Sequence, residues 1–412
     1  MLLTQDSAPQ ASGGSADEPM PPPAPEQLLA SDAPPQAEVI DAAEQRLRFT
    51  GSGAEYFRIW AVNLTLTVLT LGLYSAWAKV RRLQYFYQHT ELDGSAFDYT
   101  ANPIAILFGR VIALGLLVTY YLAFGYAAWA GLASTLLLAA VLPVLLRQSF
   151  RFKARNTRFL GLNFGFDGNL SDAYKVYLPI MTVLLFPPVL GAYWLGVTAE
   201  VWVFLLSLLA LLFLPILQAV FRRYIQSNLR FGCTGFVFAA KTKDFLKVWL
   251  WSLVLILAAV AIAALVALVV FVLVGAIYFR GKLPFESVEL KLIFGGSAMA
   301  GAGLSYLLLS SYFTARFQNL VWNKTSVGPL HLQCEVPVLG LLRVQCTNTL
   351  WIVLTLGLYR PFAAVRLARY RLAFVRVSGW RHLDEFSAGE VQSRRGATGE
   401  GAAELFEMDV GL

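Results

Sequence analysis

The chain has 412 residues, 57% of them apolar and only 14% charged, with a formal net charge of +7. A mean hydropathy of +0.58 lies outside the range of water-soluble domains, and unbroken leucine and alanine tracts exclude a transmembrane β-barrel. Three cysteines without metal-type spacing, Cys233, Cys334 and Cys346, argue against a disulfide scaffold or a zinc cluster and read as small apolar residues.

Residues 1–45 hold eight acidic residues and no basic one, on a Pro/Ala background that includes Pro21-Pro22-Pro23. Such a segment cannot bury a core, so a disordered acidic tail is expected there rather than a cleavable signal peptide. A second acidic tail is expected at 383–412, with seven acids against two basic residues. The intervening 46–382 then carries +20 and contains apolar runs at 58–78, 104–129, 131–147, 176–196, 200–221, 248–279, 296–313 and 345–364. Backbone groups in hydrocarbon must pair internally, so these runs read as helices. The expected fold is an all-α polytopic membrane protein with six to eight transmembrane helices in repeated hairpins and short β segments on the cytoplasmic side. Its basic residues sit at helix ends rather than on a soluble patch, which speaks for a lipid bilayer as partner and against nucleic acid.

Two internal repeats organise this region. Val68 to Tyr74, read Val-Leu-Thr-Leu-Gly-Leu-Tyr, recurs unchanged as Val353 to Tyr359, and the same offset of 285 pairs Asn63 with Asn348 and Arg81 with Arg366. An offset of 72 pairs Pro143 with Pro215, Asn156 with Asn228, Phe164 with Phe236 and Phe166 with Phe238. The unit reads as an apolar helix, a basic and aromatic helix end, a short segment with period-two aromatics, and the next apolar helix. Four such segments are expected to pair into one small sheet at the membrane surface. Because both Thr-Leu-Gly-Leu-Tyr copies precede basic helices, the preferred arrangement is six full spans, with both copies lying in the interface or re-entering from the cytoplasmic side.

Tyr56-Phe57-Arg58-Ile59-Trp60, followed by Thr70 to Tyr74, Trp77-Ala78 and Arg81-Arg82-Leu83-Gln84-Tyr85, resembles the YjgN-like family of bacterial inner-membrane proteins. The resemblance implies location in the bacterial inner membrane. It brings no active site, since that family is one of unknown function. The second copy has Pro361-Phe362 where the first has Ala76-Trp77, so no role of that tryptophan carries across.

No catalytic constellation is visible. His89, His331 and His382 stand alone, and neither a P-loop, a Gly-x-Ser-x-Gly nor a His-Glu-x-x-His is present. No cofactor or metal is expected, nor is the chain expected to be an enzyme. The glycine-rich run Gly295 to Gly303 reads as a helix-packing surface rather than a phosphate loop. Polar groups within apolar runs are costly, which makes Asn63, Asn348, Arg110 and Gln218 the candidate functional positions. The two asparagines suit interhelical hydrogen bonds, and Arg110 suits snorkelling to the interface. Pro143, Pro179, Pro187, Pro188 and Pro215 are expected to break helices, as in some transporters. The leading reading is a multi-pass membrane protein that transports or conducts a small-molecule substrate. A structural or partner-recruiting protein is the alternative, and a lipid-directed enzyme ranks last; the oligomeric state stays open.

Overall fold

The computed structural model describes residues 44–194, 199–278 and 288–379. The acidic tails expected at 1–45 and 383–412 lie outside these residues, apart from Glu44 and Gln45.

One motif accounts for the architecture. A strand leads into a helix, a second helix brings the chain back, and a strand then pairs antiparallel with the first. The first copy is β2 (Arg48–Phe49), α1 (Gly53–Leu69), α2 (Ser75–Gln88) and β3 (Thr90–Leu92). The second is β4 (Ser95–Tyr99), α3 (Pro103–Tyr126), α4 (Ala128–Arg155) and β5 (Thr157–Phe159). The third is β6 (Leu162–Phe166), α5 (Leu170–Trp194), α6 (Ala199–Ser227) and β7 (Leu229–Phe231). The fourth is β8 (Thr234–Phe238), α7 (Thr242–Tyr278), α8 (Val288–Asn323) and β9 (Thr325–Val327). The last is β10 (Leu330–Cys334), α9 (Val338–Leu354), α10 (Arg360–Leu372) and β11 (Val375–Ser378). Tight turns join successive copies. Asp93-Gly94 and Leu160-Gly161 have φ of 51° and 76°, and 50° and 75°, the paired left-handed values of a two-residue turn that matches strand twist.

The strands follow the order β1-β11-β10-β9-β8-β7-β6-β5-β4-β3-β2, where β1 is Gln45–Arg46. Leu47 alone separates β1 from β2, so both ends of that order belong to one extended segment and the sheet closes into a barrel. The Leu47 N–H donates to Val375 O at 3.1 Å. Inside, Leu47, Leu92, Phe159, Leu162, Phe231, Val327, Leu330, Val375 and Val377 form one buried cluster drawn from strands all round the barrel. Each such side chain contributes ~1.5–3 kcal/mol on full burial. Around the same circuit each helix packs on its neighbours in sequence, and α10 packs on α1, which makes a closed ring of helices.

These findings correct the expected all-α fold of six to eight spans. The β segments are not accessory, for eleven strands form the barrel from which every helical hairpin departs. They are two to five residues long, and many pair across a helical hairpin, as Phe97 does with Phe159. The period-two aromatics mark β6 and β8, but the two- and three-residue strands are too short to show any alternation. Among the described residues, three stretches are long and apolar enough to cross a membrane, Pro103–Ala123, Trp129–Arg155 and Thr242–Ile262. Residues 195–198, where the expected span 176–196 ends and most of its junction to 200–221 lies, fall outside the described residues.

The runs 58–78 and 345–364 are not single helices, because each folds back at its Thr-Leu-Gly-Leu-Tyr turn. Thr70 Oγ1 donates to Leu66 O at 2.7 Å and accepts from the Tyr74 N–H at 3.0 Å, so one hydroxyl closes α1 and opens α2. Gly72, at φ 92°, lets its N–H reach back to Thr67 O at 2.8 Å. Thr355 repeats this with Trp351 O at 2.6 Å and Tyr359 N at 3.0 Å, and Gly357 has φ 95°. The expected proline breaks do not occur: α4 and α6 continue through Pro143 and Pro215, and α5 through Pro179, Pro187 and Pro188.

Candidate functional site

A cavity of about 690 Å³ is lined by residues of α8, α9, α10, α1 and α2, five helices consecutive around the ring. Its charge is entirely positive, from Arg82 on α2 and Arg360 at the start of α10, and no Asp or Glu lines it. Ser310, Thr314, Gln345, Asn348 and Thr349 add hydroxyl and amide groups, while Trp60, Leu307, Ile352 and Leu367 supply apolar wall. Such a cleft is suited to an anion with an apolar body: the guanidinium groups meet the charge, and the wall takes the rest.

Local packing ties together the helices that carry these groups. Phe57 stacks on Phe362 with centroids 5.6 Å apart. The guanidinium of Arg369 donates to Gly51 O at 2.8 Å. Both contacts tie the first hairpin to the last. Gln345 Oε1 accepts from Ser310 Oγ at 2.9 Å and Ser311 Oγ at 2.6 Å, joining α9 to α8.

The sequence candidates separate. Asn348 lines the cleft and is buried; its Nδ2 donates to Ala363 O at 3.3 Å and its Oδ1 accepts from Arg366 Nη1 at 3.4 Å. Its counterpart Asn63 is also buried, but Oδ1 has no partner. Arg81, which corresponds to Arg366, lies instead over the Tyr74 ring at 5.8 Å. An orphaned buried acceptor costs ~1–3 kcal/mol, so equal sequence does not produce equal energetics here. Gln218 Oε1 accepts from Trp249 Nε1 at 2.7 Å and links α6 to α7. Arg110 does not simply snorkel: its guanidinium donates to Ser75 Oγ, which fastens α3 to the start of α2. Lys79 is held below the ordinary lysine range, first by burial and then by Arg110 and Lys153.

Arg82, Arg360 and Gln345 were missed as site residues. The arginines belong to basic runs that read as orientation signals, and Gln345 stands at the very start of the apolar run 345–364, where a polar group reads as the helix end rather than as a site. Burial raises the Cys334 thiol, keeping it protonated against Gln318 Nε2 at 3.5 Å. Among the described residues, no three His, Cys, Asp or Glu side chains converge as metal ligands.

A family model described as "Bacterial protein of unknown function (DUF898)" matches residues 44–405. The chain belongs to this family. It is 33% identical over 148 residues to the inner membrane protein YjgN of Salmonella typhimurium, covering 35% of this chain and 37% of that relative. Proteins of the same name from Escherichia coli O157:H7 and strain K12 are 28% identical over 152 and 151 residues. The matched stretch thus spans 37% of the length of these relatives. No solved structure matches the chain. The YjgN-like resemblance is therefore correct, and the DUF898 chain is an inner-membrane protein in contact with the lipid bilayer, for which its apolar helices are fitted.

Proposed function

We propose that this DUF898 protein is a multi-pass inner-membrane protein, built from tandem copies of one hairpin unit, that binds an anionic amphiphile in the cleft between its terminal hairpins and performs no catalysis. The observation that carries this reading is the pairing of Arg82 and Arg360 in a 690 Å³ cavity without a carboxylate. Two exposed guanidinium groups with no carboxylate in the lining favour a phosphate or carboxylate, and the adjoining apolar wall favours a chain attached to it. The lining offers no nucleophile paired with a base, which supports binding over catalysis. Antiparallel α3 and α4 both qualify as crossings by length and apolarity, which supports more than one pass. Carriage of the ligand across the bilayer would require a second state of the ring and is not part of this proposal.

Native mass spectrometry of the full chain in neutral detergent, with short-chain phosphatidic acid as probe, tests the reading. Arg82→Ala and Arg360→Ala are each expected to weaken retention about tenfold, the equivalent of ~1.4 kcal/mol for one lost charge-assisted contact. Equal retention of short-chain phosphatidylcholine and phosphatidic acid, unchanged in both variants, would sink it.

A further inference from the structure

The two Thr-Leu-Gly-Leu-Tyr tips carry a feature that folding does not call for. Leu71 and Leu356 adopt φ of 50° and 49° while being 96% and 95% exposed. A left-handed residue with a side chain costs ~1–2 kcal/mol, and glycine or asparagine fills that position more cheaply. Neither leucine recovers that cost from contacts within the protein. Around them Val68, Leu69, Leu73, Val353, Leu354 and Leu358 are also exposed, so each tip is a contiguous apolar cap.

The neighbouring helices say what covers the first cap. Ser75, the residue after the turn, accepts from Arg110, which lies seven residues into the candidate span Pro103–Ala123. At 1.5 Å per residue this is ~10 Å along α3. The turn from Thr70 to Tyr74 lies beyond Ser75, so it stands beside the apolar part of α3. Arg110 reaches Ser75, and Lys79 follows one turn further along α2 towards the barrel, where it feels the charges of Arg110 and of Lys153 on α4, so positive charge gathers below the tip. Apolar tip above and positive charge below is the profile of a segment seated in an anionic leaflet. The chain cannot pass through to the far side, because α2 returns it to β3, which pairs with β2, and α10 returns it to β11, which pairs with β10.

We propose that α1–α2 and α9–α10 are bilayer wedges, which enter the inner membrane from the barrel side, seat Leu71 and Leu356 just past the headgroups, and turn back without crossing. The occupant of both caps is lipid hydrocarbon of the same membrane that holds α3. This inference is independent of the anion cleft.

The test uses the full chain with Cys233 and Cys346 replaced by Ser, and a spin label on Leu71→Cys or Leu356→Cys, in vesicles of mixed phosphatidylglycerol and phosphatidylethanolamine. Both labels are expected to collide more with dissolved oxygen than with a water-soluble nickel complex, and the same cysteines left unlabelled are expected to be unreactive to an impermeant maleimide added from the periplasmic side of cells. Preferential collision with nickel would place the tips in water and overturn the proposal. Periplasmic labelling would show a full crossing and overturn it too. Leu71→Asn with Leu356→Asn gives a separate check: the melting temperature in detergent should hold or rise, and a clear fall would mean that the leucines pack on protein rather than lipid.

Discussion

Tyr85 shows what a single side chain does at the junction of hairpin and barrel. It is 4% exposed, its hydroxyl donates to Ser52 O at 2.8 Å, and Glu55 Oε2 lies 3.2 Å away. Burial first, then the charge of Glu55, pushes its pKa up to about 12 from the ordinary 10.0. A raised pKa means that the folded protein holds this proton more tightly than the unfolded chain. The contribution is therefore fully present below pH 10 and is lost as pH rises towards 12. Tyr85→Phe should remove one late-titrating phenol from the tyrosinate absorbance curve and flatten the alkaline fall in melting temperature. Near neutral pH it should cost ~1 kcal/mol for the lost hydrogen bond. A variant whose alkaline stability curve overlays the parent would show that Tyr85 titrates normally. At this scale the sequence is a poor guide: Asn63 and Asn348 occupy equivalent positions, yet only the second finds partners, because Arg366 turns to it while Arg81 covers Tyr74.

At the scale of elements, recurring asparagines decide where helices stop and strands begin. Asn156 Nδ2 donates to Phe152 O and Asn228 Nδ2 to Tyr224 O, both at 2.7 Å, closing α4 and α6 just before β5 and β7. On α8 the same residue type does more. Asn319 accepts from the Val336 N–H at 2.8 Å and donates to Val336 O at 3.1 Å, while Asn323 makes the same pair with Cys334 at 2.5 and 3.0 Å. A helix thereby pairs with the end of β10 and its continuation as another strand would. Val336 is buried, so Asn319→Leu should strand both of its backbone groups and cost ~2–3 kcal/mol, read as a lower melting temperature in detergent. Asn319→Asp, which keeps the acceptor, should lose less; equal losses would argue for a steric effect instead. The sequence showed asparagines recurring with the repeats, but not that α8 uses them to hold an extended segment, since that needs the coordinates of β10.

At the scale of the whole molecule, closure rests on five residues near the N-terminal end of the described chain. Arg46 stands opposite Arg376 on β1 and β11, two like charges that Glu44 relieves at 3.3 Å from Arg376. Residues directly opposite on antiparallel strands have Cβ atoms ~4.5–5.5 Å apart. Arg46→Cys with Arg376→Cys should therefore crosslink under mild oxidation or with a short bifunctional reagent, whereas Arg46→Cys with Arg158→Cys on β5 should not. Absence of the first crosslink in folded protein would mean that the barrel is open at β1. The sequence by itself determined the family and the membrane setting, because motif and hydropathy are local properties. Only the tertiary structure decided that the fold is not all-α, that the aromatic segments close into an eleven-stranded barrel, and that α10 meets α1 to form the cleft. Strands of two to five residues are too short to pair stably alone. They gain their hydrogen bonds and their buried face only when helical hairpins bring distant segments together, and no local sequence pattern encodes that meeting.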